Sequence, residues 1–258
     1  MDWDLGRYES VADQLEPAAR AVVMAVDEMR GQRLLDIGCG TGNGATLAAR
    51  RGARVIGIDP AARLLAVARD RAISDQLPIE YRAGRAESLE FDDDSFDVVL
   101  SIFALIFASD PHLAASEIRR VLVPGGHLAF CTWLADSPLA TARRDIIQQA
   151  LGGDPGPTAF AWHDPVTVNE LMTTHSLEPS FREVGLKFVA PSTRSFVDTE
   201  WEINPVWFAA RQALVDNDLF DEVDAALMEL LDSSNEEVGR FAVTSPFLVV
   251  TATALATS

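Results

Sequence analysis

Short apolar runs alternate with amphipathic segments along most of the chain. Apolar runs bounded by glycine, proline or acidic residues predict buried strands, and apolar positions repeating every three to four residues predict helices. Strands are predicted at residues 34–37, 54–59, 79–89, 96–101 and 127–133, where the third range also contains the loop that follows its strand. Helices are predicted between them at 45–49, 61–72 and 111–121. This alternation predicts an α/β fold with a mostly parallel, doubly wound, Rossmann-like sheet.

Further elements are predicted on both sides of these strands. Residues 1–30 have apolar positions at helical spacing, with Pro17 starting a second helix, and predict an N-terminal helical cover. Beyond Trp133 the pattern predicts helices at 136–151 and 165–175, strands at 178–196, two helices at 198–232 and a strand segment at 241–254 that Pro246 interrupts. We expect one elaborated domain divided into residues 1–30, 31–135 and 136–258.

The first predicted strand ends in a carboxylate, Asp36, followed by glycine at every second position, Gly38, Gly40 and Gly42, with Cys39 between the first two. Glycine permits a tight turn and lets a ligand lie directly on the main chain. In an open α/β sheet, ligands bind in the crevice at the carboxyl ends of the strands. This turn is therefore the predicted binding site.

The kind of ligand follows from the residues around the glycines. A phosphate loop needs Gly-Lys-Ser/Thr after them, and no lysine is present. A dinucleotide fingerprint stays open because Gly40, Gly42 and Ala45 fit G-x-G-x-x-A. A fixed carboxylate at Asp36 suits a cationic ligand better than a pyrophosphate. The alternative is that Asp36 only caps the next helix.

A second carboxylate, Asp59, ends the next predicted strand, 19 residues after Gly40. An acidic residue about 20 positions after such a turn accepts hydrogen bonds from ribose hydroxyls in nucleotide-binding folds. Pro60 is expected at the first position of the following helix, so Asp59 could instead act only as its N-cap. We favour the ribose role.

Residues 31–133, and the glycine turn above all, resemble the core of the class I S-adenosylmethionine-dependent methyltransferases. The resemblance implies S-adenosylmethionine as the cofactor, with its methionine part against Gly38, Gly40 and Gly42 and its ammonium group facing Asp36. It also implies an antiparallel strand pair at the C-terminal end of the sheet, which we assign to 183–189 and 247–253. The helices between them form a lid insertion, so 136–258 holds the acceptor side, and Tyr8 in the N-terminal cover is a candidate contact.

The loop after the third strand departs from the family pattern Gly-Asp-Ala-Glu. Arg85 stands where the family has the aspartate that binds the adenine amino group, followed by Ala86 and Glu87. An arginine has only donors, so this contact is lost, moves to Glu87 or is replaced by stacking on the guanidinium. The backbone of Ala86 is expected to bind the adenine ring nitrogen.

The acceptor side is predicted from the residues after the fourth strand. Ser101 and Ile102 stand where DNA amino-methylating enzymes carry Asn/Asp-Pro-Pro-aromatic and catechol-type enzymes a metal-binding carboxylate, so we expect neither chemistry and no metal. The apolar run 102–107, with Trp133, Phe160 and Trp162 as expected neighbours, favours a small, fairly apolar acceptor. His163 is the candidate general base. O-methylation is preferred, with C-methylation of a quinone-type precursor open.

Composition limits the partners. The formal net charge of −18 opposes binding to nucleic acid. Two cysteines, no basic leader and no long apolar segment predict a cytoplasmic protein without membrane contact. We expect a small-molecule acceptor as partner and a homodimer as the candidate assembly. Two rival functions remain: a cofactor-binding protein without catalysis and a nicotinamide-dependent reductase, although Tyr8 and Tyr81 lack the lysine of a Tyr-x-x-x-Lys pair.

Overall fold

The computed structural model describes residues 8–152 and 160–256, with the side chains of Tyr8 and Arg144 outside that description. The strands are β1 (Arg33–Ile37), β2 (Arg54–Asp59), β3 (Glu80–Ala83), β4 (Phe96–Ile102), β5 (Leu122–Trp133), β6 (Leu177–Ala190) and β7 (Phe241–Ala254). The helices are α1 (Tyr8–Gln14), α2 (Glu16–Val23), α3 (Asn43–Arg50), α4 (Ala62–Ser74), α5 (Pro111–Val121), α6 (Pro138–Thr141), α7 (Pro165–Thr174), α8 (Thr193–Ile203), α9 (Pro205–Asp216) and α10 (Phe220–Ser233). A 3-10 turn covers Leu105–Phe107 and a π-helical segment covers Ala142–Gln148.

The strands form one mixed sheet in the order β3-β2-β1-β4-β5-β7-β6. Strand β1 pairs in parallel with both β2 and β4, so Asp36 lies beside Gly57 on one side and Leu100 on the other. The sheet ends in the predicted antiparallel pair, which confirms the predicted fold class. The change of strand order between β1 and β4 opens the crevice above the carboxyl ends of these strands.

The central strands are buried because helices cover both faces of a parallel sheet. Leu34, Leu35, Val99 and Leu100 have no exposed surface. Helix α2 packs on α3 and on β4, and α3 and α4 pack on β2. The glycine turn after β1 therefore joins two packed elements, β1 and α3.

The chain divides into two compact units. The sheet unit comprises Leu15–Thr132, Ala161–Val184 and Leu248–Ser258, and the helical unit comprises Met1–Gln14, Trp133–Phe160 and Gly185–Phe247. Within the helical unit, α8 packs on α9, α10 and α1. No helix among residues 8–152 and 160–256 has the length and apolarity to cross a membrane.

Two predictions in the C-terminal half are wrong. The predicted strands at 178–196 end at Ala190, because Ser192 caps α8 by accepting a hydrogen bond from the Ser195 N–H (3.1 Å). The two helices predicted at 198–232 are parts of three, α8 to α10. Asn204 separates the first two, since its Oδ1 accepts a hydrogen bond from the Val206 N–H (3.0 Å) and Pro205 starts α9.

Three further boundaries differ from the predictions. Strand β5 begins at Leu122, which pairs with Phe96, but its register is irregular until His127, the predicted start, pairs with Val98. Strand β7 runs through Pro246 without interruption, and the Pro246 carbonyl accepts a hydrogen bond from the Leu134 N–H (3.3 Å). The helix predicted at 136–151 is the short α6 followed by the π-helical segment.

Candidate functional site

The turn between β1 and α3 is built on glycine backbone, with Gly38 half-buried and Gly40 and Gly42 buried. Gly38, Gly40 and Gly42 have φ angles of 65°, 52° and 88°. Gly42 donates a hydrogen bond from its N–H to the Cys39 carbonyl (2.8 Å), closing the turn just before α3. A Cβ at Gly42 would lie 2.4 Å from Tyr81 Oη. The left-handed backbone and the close tyrosine both require glycine here.

Asp36 places a carboxyl group below this turn. The side chain has no exposed surface, and neither oxygen accepts a hydrogen bond from a residue within the described parts of the chain. Burial raises the pKa of Asp36 to about 7, with the nearby N–H of Ala45 acting the other way and the charge of Asp59 adding to the rise. A buried carboxyl group without a hydrogen-bond partner is costly. A cationic ligand would supply the missing partner.

Asp59 ties the end of β2 to the glycine turn. Its Oδ2 accepts a hydrogen bond from the Gly40 N–H (2.9 Å), and its Oδ1 accepts one from the Ala61 N–H (2.8 Å). Pro60 is exposed and precedes the N-cap residue Ala61, so its predicted place as the first helical residue is wrong by two positions. The shift arises because the Asp59 side chain holds Ala61 in an extended conformation (φ −86°, ψ 106°).

Two residues outside the predicted site, Arg71 and Tyr81, lie against the turn. Arg71 in α4 donates hydrogen bonds to Thr41 Oγ1 (3.2 Å) and Asn43 Oδ1 (3.3 Å), on either side of Gly42. Tyr81 in β3 lies 6% exposed with its hydroxyl under Gly42. Arg71 lies in an amphipathic helix and Tyr81 in a strand. The hydrophobic pattern predicts these elements but gives no sign that either side chain reaches the turn.

The loop after β3 carries the residues expected near the adenine. Arg85 is exposed, and its carbonyl accepts a hydrogen bond from the Ser88 N–H (3.2 Å), while Ala86 is buried. Glu87 Oε1 accepts hydrogen bonds from the N–H (2.6 Å) and Oγ (2.8 Å) of Ser109. Burial raises the pKa of Glu87, but hydrogen bonds outweigh this effect and hold it below its usual value. Glu87 is thus engaged with Ser109.

The end of β4 is shaped by two residues with different roles. Ser101 is fully buried and donates its hydroxyl to the Ile37 carbonyl (2.9 Å), which joins β4 to β1. Phe103, 5% exposed, has a φ of 52°, a strained conformation for a residue with a side chain. The apolar run therefore turns at Phe103 and continues as the 3-10 turn instead of extending β4. Ile102, the last strand residue, is half-buried.

Of the other predicted residues, Trp162 and His163 precede α7, and Trp133 is the last residue of β5. His163 is exposed in the turn before α7, next to the N-cap residue Asp164. In the sheet unit, Trp162 is buried against Phe130, with 6.0 Å between ring centroids. In the helical unit, Trp133 packs against Phe188 (6.3 Å). The side chain of Tyr8 lies outside the described residues, and the roles of Tyr8 and His163 stay predictions.

Known proteins resemble this chain most clearly across the sheet unit. Residues 35–130 match the family model described as a methyltransferase domain. A demethylmenaquinone methyltransferase of Clavibacter sepedonicus is 36% identical over 133 residues, which are 51% of this chain and 54% of the relative. A ubiquinone biosynthesis O-methyltransferase of Alkalilimnicola ehrlichii is 38% identical over 112 residues, 43% of this chain and 45% of the relative. The chain spans about half the length of the curated relatives it matches.

The similarity of the fold extends further than that of the sequence. The crystal structure of the YcgJ protein from Bacillus subtilis matches with a TM-score of 0.66 at 18% identity, covering 93% of this chain and 99% of that chain. At this identity the match supports the fold alone. The family model, by contrast, matches only residues 35–130, which contain the glycine turn, Asp36 and Asp59.

Proposed function

We propose that the protein, whose residues 35–130 match the family model described as a methyltransferase domain, transfers the methyl group of S-adenosylmethionine to a small, fairly apolar metabolite. The methyl acceptor is proposed to be an oxygen atom. The observation that carries the proposal is the buried, unpartnered carboxyl group of Asp36, two residues before the first of the three glycines of the turn. An ammonium group bound there would place a positive charge beside the carboxyl group and favour its ionised form.

The residues present fit this cofactor. Asp36 would bind the ammonium group of the methionine part, whose chain would lie on the bare backbone of Gly38, Gly40 and Gly42. Asp59 would bind the ribose hydroxyls while its hydrogen bonds to the Gly40 and Ala61 N–H groups hold it in place. Arg85 is exposed at the position expected beside the adenine and would flank that ring with its guanidinium plane.

The chemistry asks little of the protein beyond placement. S-adenosylmethionine, when bound, supplies an electrophilic methyl group on a sulfonium. The turn would hold that end of the cofactor in place, because Asp59 binds the Gly40 N–H and Arg71 binds the side chains of Thr41 and Asn43 on either side of Gly42. Rigid placement of reacting groups contributes several kcal/mol, roughly 7–11 in the best cases, to rate enhancement. His163 remains the candidate base for removing the acceptor proton.

The class of acceptor is supported by the sequence and by the names of two relatives. The apolar run 102–107 favours an apolar compound. One relative is named for a demethylmenaquinone acceptor and the other for O-methylation in ubiquinone biosynthesis. We infer a ring-bearing acceptor with a hydroxyl group, and C-methylation of a related precursor is the alternative.

Both cysteines are buried and free, which is compatible with the predicted cytoplasmic location.

Thermal unfolding with separate ligands tests the cofactor. S-adenosylmethionine or S-adenosylhomocysteine at 100 times its dissociation constant should stabilise the native protein by about 2.7 kcal/mol. Nicotinamide dinucleotides should have no effect, and a shift with these alone would favour the reductase. A panel of hydroquinones and phenols is then screened for S-adenosylhomocysteine formation, and NMR of any product shows whether oxygen or carbon carries the new methyl group. Cofactor binding without turnover of any acceptor would favour the non-catalytic alternative.

A further inference from the structure

Two histidine rings from different helices meet within the sheet unit. His112 lies in the first turn of α5, and His175 is the C-cap residue of α7. Both residues belong to the sheet unit, in which α5 packs on α7. His112 Nδ1 and His175 Nε2 are 3.2 Å apart. His112 is exposed and His175 is half-buried, so solvent reaches the pair.

The two facing nitrogens form a hydrogen bond whose proton can be relocated. In a neutral pair one nitrogen donates and the other accepts. The outer nitrogens, His112 Nε2 and His175 Nδ1, have no hydrogen-bond partner among the described residues. The donor ring can therefore carry its proton on the outer nitrogen instead, which leaves a lone pair on both facing nitrogens. Neutral imidazole in this form is the commonest metal ligand in proteins.

The spacing of the facing nitrogens suits a single metal ion. Zinc binds histidine nitrogen at about 2.0–2.1 Å and prefers tetrahedral coordination. Two nitrogens 3.2 Å apart subtend an angle of about 99–106° at an ion at that distance, close to the tetrahedral angle of about 109°. Each ring has to pivot so that its lone pair points at the ion and not at the other ring. Neither ring is buried, so packing does not lock it in place.

The charges around the pair also favour a cation. Asp110 is the N-cap residue of α5, two positions before His112, and its carboxylate offsets the positive end of that helix dipole. His175 lies at the negative end of α7. No group of three or more His, Cys, Asp or Glu side chains that could hold a metal occurs in residues 8–152 and 160–256. Water therefore completes the coordination of an ion bound by this pair.

We propose that His112 and His175 form a binding site for a divalent late transition-metal ion, represented by Zn²⁺, which replaces the hydrogen bond between the rings. The ion links the beginning of α5 to the end of α7 and stabilises this part of the sheet unit. Imidazole ligands suit zinc, copper and nickel, whereas Mg²⁺ prefers oxygen ligands. Binding of the ion requires neither S-adenosylmethionine nor methyl transfer.

Calorimetric titration of the full chain, without a polyhistidine tag, tests the site. Slightly above neutral pH, wild-type protein should bind one Zn²⁺ per chain and no Mg²⁺ at the same concentrations. His112→Gln and His175→Gln should each bind Zn²⁺ about 100-fold more weakly, because the second imidazole no longer binds the ion intramolecularly. Zn²⁺ should raise the thermal unfolding midpoint of the wild type and leave that of either variant unchanged.

His127 provides the matched control, because it is exposed in β5 of the same unit. His127→Gln should keep the wild-type affinity for Zn²⁺. In NMR spectra of the wild type, paramagnetic Ni²⁺ should broaden the ring signals of His112 and His175 before those of His127 and His163. Broadening that begins at His127 or His163 overturns the site, as does wild-type affinity in His112→Gln or His175→Gln. A wild-type protein that binds no Zn²⁺ overturns it without any variant.

Discussion

The Asp59 carboxylate accepts a 2.9 Å hydrogen bond from the Gly40 N–H, 19 positions earlier in the chain. The bond joins the end of β2 to the turn that follows β1. The second oxygen of Asp59 accepts a hydrogen bond from Ala61. One side chain therefore holds both turns at the mouth of the crevice. The alternative that Asp59 is the N-cap of α4 is wrong, because Ala61 is the N-cap residue, and the ribose role stays a prediction.

Replacing Asp59 by Asn should weaken both the fold and cofactor binding. Asn offers one acceptor oxygen for two N–H groups and turns its own NH2 toward one of them, which should cost about 1–3 kcal/mol. S-adenosylmethionine affinity should fall at least about tenfold, since a charged ribose contact is removed. Urea denaturation and calorimetry measure the two effects, with the exposed Asp70→Asn in α4 as the control. Wild-type affinity in a destabilised Asp59→Asn protein would limit Asp59 to bracing the turns.

Asp36 should make the ligand-free protein less stable as the pH rises. Its pKa is about 7 in the native state and near 3.8 in the unfolded chain. Between these values the native state binds more protons, so this contribution to stability is present at low pH and is lost as the pH rises toward 7 and above. The loss amounts to at most about 4 kcal/mol for a shift of about three pH units.

Other carboxyl groups titrate in the same range, so the test compares wild type with Asp36→Asn. Unfolding free energies are measured from pH 4 to pH 8 without ligand. Stability of the wild type should fall relative to that of Asp36→Asn across this range. If the unfolding free energies of the two proteins change with pH in parallel, the pKa of Asp36 is not raised.

Cofactor binding should release a proton from Asp36. An ammonium ligand binds the ionised carboxylate, which is only partly populated below pH 7. The ratio of wild-type to Asp36→Asn affinity for S-adenosylmethionine should rise about tenfold from pH 6 to pH 8, and titration of the ligand's own ammonium cancels in the ratio. At pH 6.5, calorimetry in buffers of different ionisation enthalpy should show wild type releasing about 0.8 proton more than the variant. A constant ratio would place the ammonium elsewhere.

Substituting Gly42 separates backbone strain from steric conflict. Gly31 has a similar φ of 80°, but an added Cβ there meets no atom within 4 Å, whereas at Gly42 it lies 2.4 Å from Tyr81 Oη. Gly31→Ala should cost about 1–2 kcal/mol of strain. Gly42→Ala should cost about 1–3 kcal/mol more from overpacking and should also lose cofactor binding. If urea denaturation shows that Gly31→Ala and Gly42→Ala are equally destabilised, Tyr81 moves aside at no measurable cost.

The sequence predicted the part of the fold in which local signals agree. Helix α5 begins at Pro111, and Asp110 Oδ1 accepts a hydrogen bond from the Leu113 N–H (3.0 Å), as the Asp-Pro pair indicated. The glycine turn and its two carboxylates followed from residue type and spacing. The methyltransferase resemblance is confirmed for residues 35–130.

What could not be predicted depends on contacts between distant segments. Arg71 braces the glycine turn from 28 to 30 residues away. His112 and His175 lie 63 residues apart, yet their ring nitrogens meet at 3.2 Å. The left-handed Phe103 has no local signal, because glycine or asparagine is usual at such φ values. In the helical unit, the predicted strand was extended to Phe196, although Ser192 caps α8 and the helix begins at Thr193.

The placement of the two cysteines makes the thiols internal reporters of motion. Cys39 in the glycine turn and Cys131 in β5 are both buried, and burial raises the pKa of each thiol above its usual range. Alkylating reagents attack the thiolate, so neither sulfur reacts readily until its surroundings open. Labelling of Cys39 then follows opening of the glycine turn, and labelling of Cys131 follows opening of the central sheet. If the turn opens independently of the sheet, a bound cofactor would slow the labelling of Cys39 and leave the labelling rate of Cys131 unchanged.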